Sequence, residues 1–143
     1  MGLRRVVANG LMDFHRGVFR LSGGRVFNGM FGMPVLELTT VGAKSGQSRS
    51  VMLTTPISHQ GNPVIVASMG GDPRSPAWFH NLVANPDVTV TLKGKTGPKR
   101  ARVATPDERA ELWPKVVESY KGYGGYQEKT TREIPLVVLE DAA

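Results

Sequence analysis

The chain has no cysteine, which removes disulfides and thiolate chemistry and leaves any zinc site to histidine or carboxylate ligands. Histidine is scarce as well. His15, His59 and His80 are the whole supply, and no two of them stand at metal-ligand spacing, so a metalloenzyme is not expected. No apolar run approaches the ~20 residues that a bilayer crossing needs. The N-terminus carries arginines but no continuous apolar core followed by a small-residue cleavage site, so a secretory leader is not expected either. Nucleotide signatures are missing: there is no GxGxxG, and GAKSGQ lacks the distant leading glycine of a phosphate-binding P-loop. Nor is there a Ser-His-Asp order or a working pair of carboxylates. Acids are few, 12 Asp and Glu against 18 Lys and Arg, giving a net charge of +6 and a pI near 10. That balance calls for an anionic partner, whether nucleic acid, membrane surface or acidic small molecule.

What is present centres on residues 39 to 49, TTVGAKSGQSR. An extended run, PVLELTT, empties into this loop and a second strand-like run, SVMLTTPI, follows at once. The result is a hairpin whose connection holds Lys44 in its middle and Arg49 at its far end. Gly42 and Gly46 let the backbone curl, while Thr40, Ser45 and Ser48 offer hydroxyls. Such a loop suits an oxyanion, phosphate foremost; an ordinary hairpin with solvated basic residues is the alternative.

At 143 residues the chain is long enough for one core. We divide it into residues 1–33, an N-terminal amphipathic helix and linker, and residues 34–143, the binding domain. Leu3, Val6, Val7, Leu11, Phe14, Val18 and Leu21 recur at spacings of three and four, which predicts a helix flanked by arginines. Packing on the domain, covering an anionic ligand and lying on a membrane surface are its three open readings. Ser22-Gly23-Gly24 ends it, and the glycine-broken VFNGMFGMP is expected to be irregular. Six strands are expected over residues 35–41, 50–57, 63–68, 88–92, 99–104 and 133–139, with turns over 58–62 and 94–98. Ser75 and Pro76 predict the cap and first turn of a short helix ending near Asn85-Pro86-Asp87. Thr105-Pro106-Asp107-Glu108 is a capping box opening a longer helix, with Pro114 as a kink or restart. Tyr120, Tyr123 and Tyr126, all the tyrosines of the chain, fall on a glycine-rich segment expected to be a flexible loop. This order predicts an α+β fold with a mostly antiparallel sheet, a small closed or split barrel.

Three ordered motifs, LTTVGAKSGQSRS, VIVASMGGDPRSPAWFHNLVANPDV and ATPDERAELWPKVVESYKGYGGYQEKTTREIPLVVLE, closely resemble the deazaflavin-dependent nitroreductase family of actinobacteria. These are FMN-binding split-barrel-like reductases that use coenzyme F420, and the likeness covers about residues 36 to 140. It implies hydride transfer from F420H2 to planar electrophilic acceptors: quinones, nitroaromatics, activated enones or unsaturated lactones such as coumarin-type mycotoxins. The coenzyme is polyanionic at one end and a flat tricycle at the other. The resemblance implies that Lys44, Ser45, Gln47 and Arg49 hold its phosphate, and that Val66, Ala67, Ser68, Pro76, Trp78 and Asn81 seat its ring. For Trp78 simple core packing is an equal alternative. Tyr120, Tyr123 and Tyr126 would cover the acceptor, with Ser68 or one of the tyrosines as proton donor. Some relatives have lysine where this chain has Met69, and loss of that cation is expected to weaken coenzyme binding or change the acceptor pocket, while the Met-rich segment from Gly29 to Met33 leaves acceptor preference open. A monomer or weak dimer in the cytoplasm is expected, with membrane contact through the N-terminal helix as an alternative. Rival readings are an FMN enzyme on the same barrel and a non-enzymatic module for anionic ligand or lipid. Nucleic acid is disfavoured because the arginine-rich helix has only Phe14 and Phe19 for stacking.

Overall fold

A computed structural model describes residues 29–30 and 33–142. The predicted N-terminal helix, its glycine stop and most of the irregular linker lie outside the described residues. The described strands are β1 (Gly29–Met30), β2 (Met33–Val41), β3 (Ser48–Thr54), β4 (Ile57–His59), β5 (Asn62–Val66), β6 (Asp87–Leu92), β7 (Lys95–Val103) and β8 (Leu136–Asp141). Helix α1 (Ala77–Ala84) joins β5 to β6, while α2 (Pro106–Ser119) and α3 (Gly122–Glu128) lie between β7 and β8.

Every described pairing is antiparallel, in the order β1-β2-β6-β7-β8-β5-β4 with β3 added to β2. The sheet does not close by hydrogen bonds, because β3 and β4 stay unpaired with each other. The expected α+β antiparallel architecture is therefore seen in its open form, with eight described strands where six were predicted. The extra pieces are β1 and β4. Two predicted turns are also tighter than the sequence indicates: Gln60-Gly61 and Lys93-Gly94 turn the chain in two residues, with φ of 53° and 80°, and 52° and 77°. Paired positive φ values match the twist of a two-residue hairpin. The turn at Lys93-Gly94 comes earlier than expected because lysine is not a customary turn residue, so β7 starts at Lys95 and most of the expected turn over 94–98 is strand.

Side-chain alternation sorts β5 and β8 between two cores. Ile65, Ala67, Val137 and Leu139 point into the barrel with Leu36, Leu38, Val90 and Trp78. Val64, Val66, Leu136 and Val138 point outward against Leu112, Val116 and Tyr123. Hence the last strand is buried on both faces, as its unbroken apolar run predicts. Full burial of a large aliphatic side chain contributes about 1.5–3 kcal/mol, so these two layers dominate the fold's stability.

The capping box is present: the Glu108 amide donates to Thr105 Oγ1 (3.2 Å) and the Thr105 amide to Glu108 Oε1 (2.9 Å). Helix α2 runs through Pro114 without interruption. Ser75 does not cap α1; Pro76, with extended ψ, holds that position and no side chain bonds the helix end. The segment with Tyr123 and Tyr126 is a correction of a different kind, since it is helix α3 and not a loop, while Tyr120 caps the end of α2. Glycines weaken a helix by up to ~1 kcal/mol each. Here the burial of Tyr123, at 5% exposure, outweighs that penalty.

Candidate active site

Residues 42–47 connect β2 to β3, and local chemistry shapes them. The Gly42 amide donates to the Gln47 carbonyl (2.8 Å), the Gly46 amide to the Gly42 carbonyl (3.0 Å), and the Gln47 amide to Ser45 Oγ (3.1 Å). Gly46 has φ of 70°, a value that favours glycine. From α1, Asn81 pins the loop at two points. Its Oδ1 accepts from the Ala43 amide (3.0 Å) and its Nδ2 donates to Thr40 Oγ1 (3.1 Å), with Thr40 buried. The side chains of Lys44 and Arg49 are exposed and have no ion pair or hydrogen bond among the described residues. Two cations on an anchored bend of backbone amides have the chemistry that could hold a phosphate-like group. Lys44, Ser45, Gln47 and Arg49, the residues expected at a phosphate, thus share one loop and its edge, and Asn81, expected to seat the ring, bonds to that loop.

At the end of β5, Val66, Ala67 and Ser68 are all buried. Val66 belongs to the outer core and Ala67 to the inner one. Trp78 packs in the inner core at 9% exposure, edge-on to Phe79 with centroids 6.5 Å apart. Its packing alternative is thus the contact the structure describes. Pro76 is buried at the start of α1.

After Ser68 the backbone enters a single 3-10 turn, Met69–Gly71. Met69, Gly70 and Gly71 have φ of 45°, 64° and 85°. A Cβ on Gly71 would lie 2.6 Å from the Tyr126 carbonyl oxygen and 2.9 Å from Lys129 Cβ, so only glycine lets this turn meet α3 backbone to backbone. Arg132 reaches under the same turn. Its Nε donates to the Asp72 carbonyl (2.9 Å), and its Nη2 to the carbonyls of Ala67 (3.1 Å) and Ser68 (3.0 Å). The sequence had drawn no attention to Arg132, because a lone cation ahead of an apolar strand reads as solvated surface.

The three tyrosines form one aromatic stack. Tyr120 and Tyr123 meet edge-on with centroids 5.4 Å apart, as do Tyr123 and Tyr126 at 6.0 Å. Edge-to-face rings at such distances attract by about 0.5–1.5 kcal/mol beyond their burial. The Tyr123 hydroxyl lies 2.6 Å from Thr54 Oγ1. Burial pushes the Tyr123 phenol up, and burial followed by hydrogen bonding with Tyr120 pushes Tyr126 up, so both stay protonated near neutrality. Gly122 is needed because a Cβ there would fall 2.6 Å from Tyr120 Cζ.

The fold therefore joins the predicted residues into two groups, the cationic loop with Asn81 and the Ser68 turn with the tyrosine helix. A hollow of about 390 Å³ opens near Pro34, Thr55, Ile57 and Pro63. It contains none of the expected site residues, and Lys93 is its one charged lining group. No group of three or more metal-ligating side chains occurs among the described residues.

The split antiparallel sheet carries the braced cationic bend at one end of β3 and the aromatic helix at the other. Residues 12–141 match the model of the family described as F420H(2)-dependent quinone reductase. An F420H(2)-dependent quinone reductase of Mycobacterium tuberculosis is 43% identical, over 96% of this chain and 94% of the relative. A solved F420-H2 dependent reductase, FDR-A, superposes with a TM-score of 0.67 at 42% identity, covering 75% of this chain and 94% of that one. A further solved chain, described as a domain-swapped dimer, has the same TM-score and identity over 75% of this chain and 80% of its own. The chain belongs to the F420H2-dependent quinone reductase family, whose members are F420-dependent oxidoreductases.

Proposed function

We propose that this protein binds reduced coenzyme F420 and catalyses its oxidation by a quinone or a similar planar electrophile. The observation that carries this reading is the pair of cations, Lys44 and Arg49, whose side chains have no partner among the described residues, on a loop that Asn81 holds in place.

When bound, the coenzyme supplies the hydride. Lys44 and Arg49 hold its phosphate, helped by loop amides and by the hydroxyl of Ser45 and the amide of Gln47. Ser68 and the exposed turn after it meet the ring edge, with Val66, Ala67, Pro76 and Trp78 fixing that edge through packing. The tyrosines wall off water and present phenol hydroxyls to the acceptor oxygen, so Tyr120, Tyr126 or Ser68 can deliver the proton that completes reduction. No nucleophile is required.

Within the class, quinones come first because of the family. Nitroaromatics, activated enones and unsaturated lactones such as coumarin-type mycotoxins are proposed as further acceptors, since flatness and an electrophilic centre are what an aromatic wall selects. The test combines two measurements. Purified protein titrated with F420 should show quenching of tryptophan fluorescence, and the reduced coenzyme should be consumed when menadione, a nitroimidazole or an unsaturated lactone is added. A protein that purifies yellow with FMN and ignores F420 would overturn the assignment.

A further inference from the structure

Arg132 is the least explained charge in the described structure. Its neighbours already have other partners: Glu133 lies 3.5 Å from Arg109, and Asp72 is held by Arg74 at 3.2 Å. Arg132 has no ion pair among the described residues and instead forks onto three carbonyl oxygens, those of Ala67, Ser68 and Asp72. Its Nη1 is buried with no hydrogen-bond partner among the described residues. A buried donor left unpaired destabilises a fold, so a purely structural fastening does not account for a guanidinium here.

The peptide planes supply the missing purpose. Each carbonyl shares its plane with the amide of the next residue, so a cation on the Ala67 and Ser68 oxygens polarises the N–H groups of Ser68 and Met69. Ser68 is right-handed helical (φ −78°, ψ −39°) and Met69 and Gly70 have positive φ. This succession curls backbone amides into a concavity that accepts an electronegative oxygen. Inside the turn, the amides of Gly71 and Asp72 donate to the carbonyls of Ser68 (2.9 Å) and Met69 (3.1 Å), while Met69 and Gly70 lie on its exposed side.

We infer that Arg132 is a positioning residue: its fork sets the turn after Ser68 and charges the amides of that turn for a carbonyl oxygen at the edge of the coenzyme ring. This rests on the function proposed above. The same fork joins the segment after α3 to the end of β5, so coenzyme edge and tyrosine helix move as one unit.

The experiment compares wild type with Arg132→Gln and Arg132→Lys. Amide hydrogen exchange of Gly71 and Asp72 is measured without ligand, F420 affinity by tryptophan fluorescence, and kcat and KM with menadione. Arg132→Gln should speed exchange at these two amides and weaken F420 binding by about tenfold or more, with KM for menadione within about twofold. Arg132→Lys, which keeps the charge and loses the fork, should fold and fall between the two. Unchanged exchange in folded Arg132→Gln, or in Arg132→Lys if the first variant does not fold, overturns the inference; so does F420 affinity within twofold of wild type. If wild-type protein fails to bind F420, the functional reading is lost, whereas the exchange data still decide whether Arg132 holds the turn.

Discussion

The hydroxyls of Tyr123 and Thr54 lie 2.6 Å apart although 69 positions separate them in the chain. This bond ties helix α3 to β3, a strand whose only described pairing is with β2. Thr55 works beside it, donating from Oγ1 to the Val64 carbonyl (2.9 Å) and so linking β3 to β5. The open seam of the barrel is thus spanned by side chains where the ladder fails to close.

Tyr123→Phe is expected to lower stability by about 1 kcal/mol, because the Thr54 hydroxyl loses its partner while the ring remains packed. Thermal melts of both proteins would show it. An unchanged midpoint would mean the bond contributes nothing net.

Lys44→Ala and Arg49→Ala should each weaken F420 binding by roughly five- to a hundredfold, the range of a charge-assisted bond worth about 1.5–3 kcal/mol partly screened by water. Both side chains are exposed, so melting points should hardly move. Fluorescence titration in low and high salt checks the assignment, with wild type losing affinity as salt rises and the double variant showing little dependence.

Asn81→Leu keeps the volume on α1 but removes both bonds to the loop, leaving the buried Thr40 hydroxyl without its donor. Its expected signature is weaker coenzyme binding, by about tenfold, together with a modest loss of stability of about 1 kcal/mol. Binding as tight as wild type would show that the loop holds its shape alone.

The Glu108 carboxylate is pulled down to about 2, first by its hydrogen bonds from Arg102 and next by the Thr105 amide. Arg102 Nη1 lies 2.6 Å from Glu108 Oε1, and His59 Nε2 is 3.2 Å from Oε2. A folded value below the ordinary 4.5 means this group's stabilisation is complete above about 4.5 and is lost as pH falls toward 2. Glu108→Gln should flatten acid unfolding across that interval. Urea melts at pH 2.5, 4 and 6 make the comparison, and equal pH dependence in the two proteins would contradict it.

The chain's own pattern determined a good deal. The β-branched and apolar residues from 35 to 41 and the unbroken run ending at Leu139 define strands because strand preference is a local property. The capping box at Thr105 and Glu108 closes within one turn, so three positions of sequence suffice to read it. The proposal for Lys44 and Arg49 is also local: glycines and hydroxyls around a cation suggest an anion site without reference to distant residues. Tertiary structure alone decided that the tyrosine segment is helical, since the burial of Tyr123 against β3 and the β5–β8 layer offsets what its glycines cost. It also decided the roles of Asn81 and Arg132, whose partners lie 38 to 41 and 60 to 65 residues away. No local pattern can announce a hydrogen bond whose acceptor arrives only when the barrel has formed.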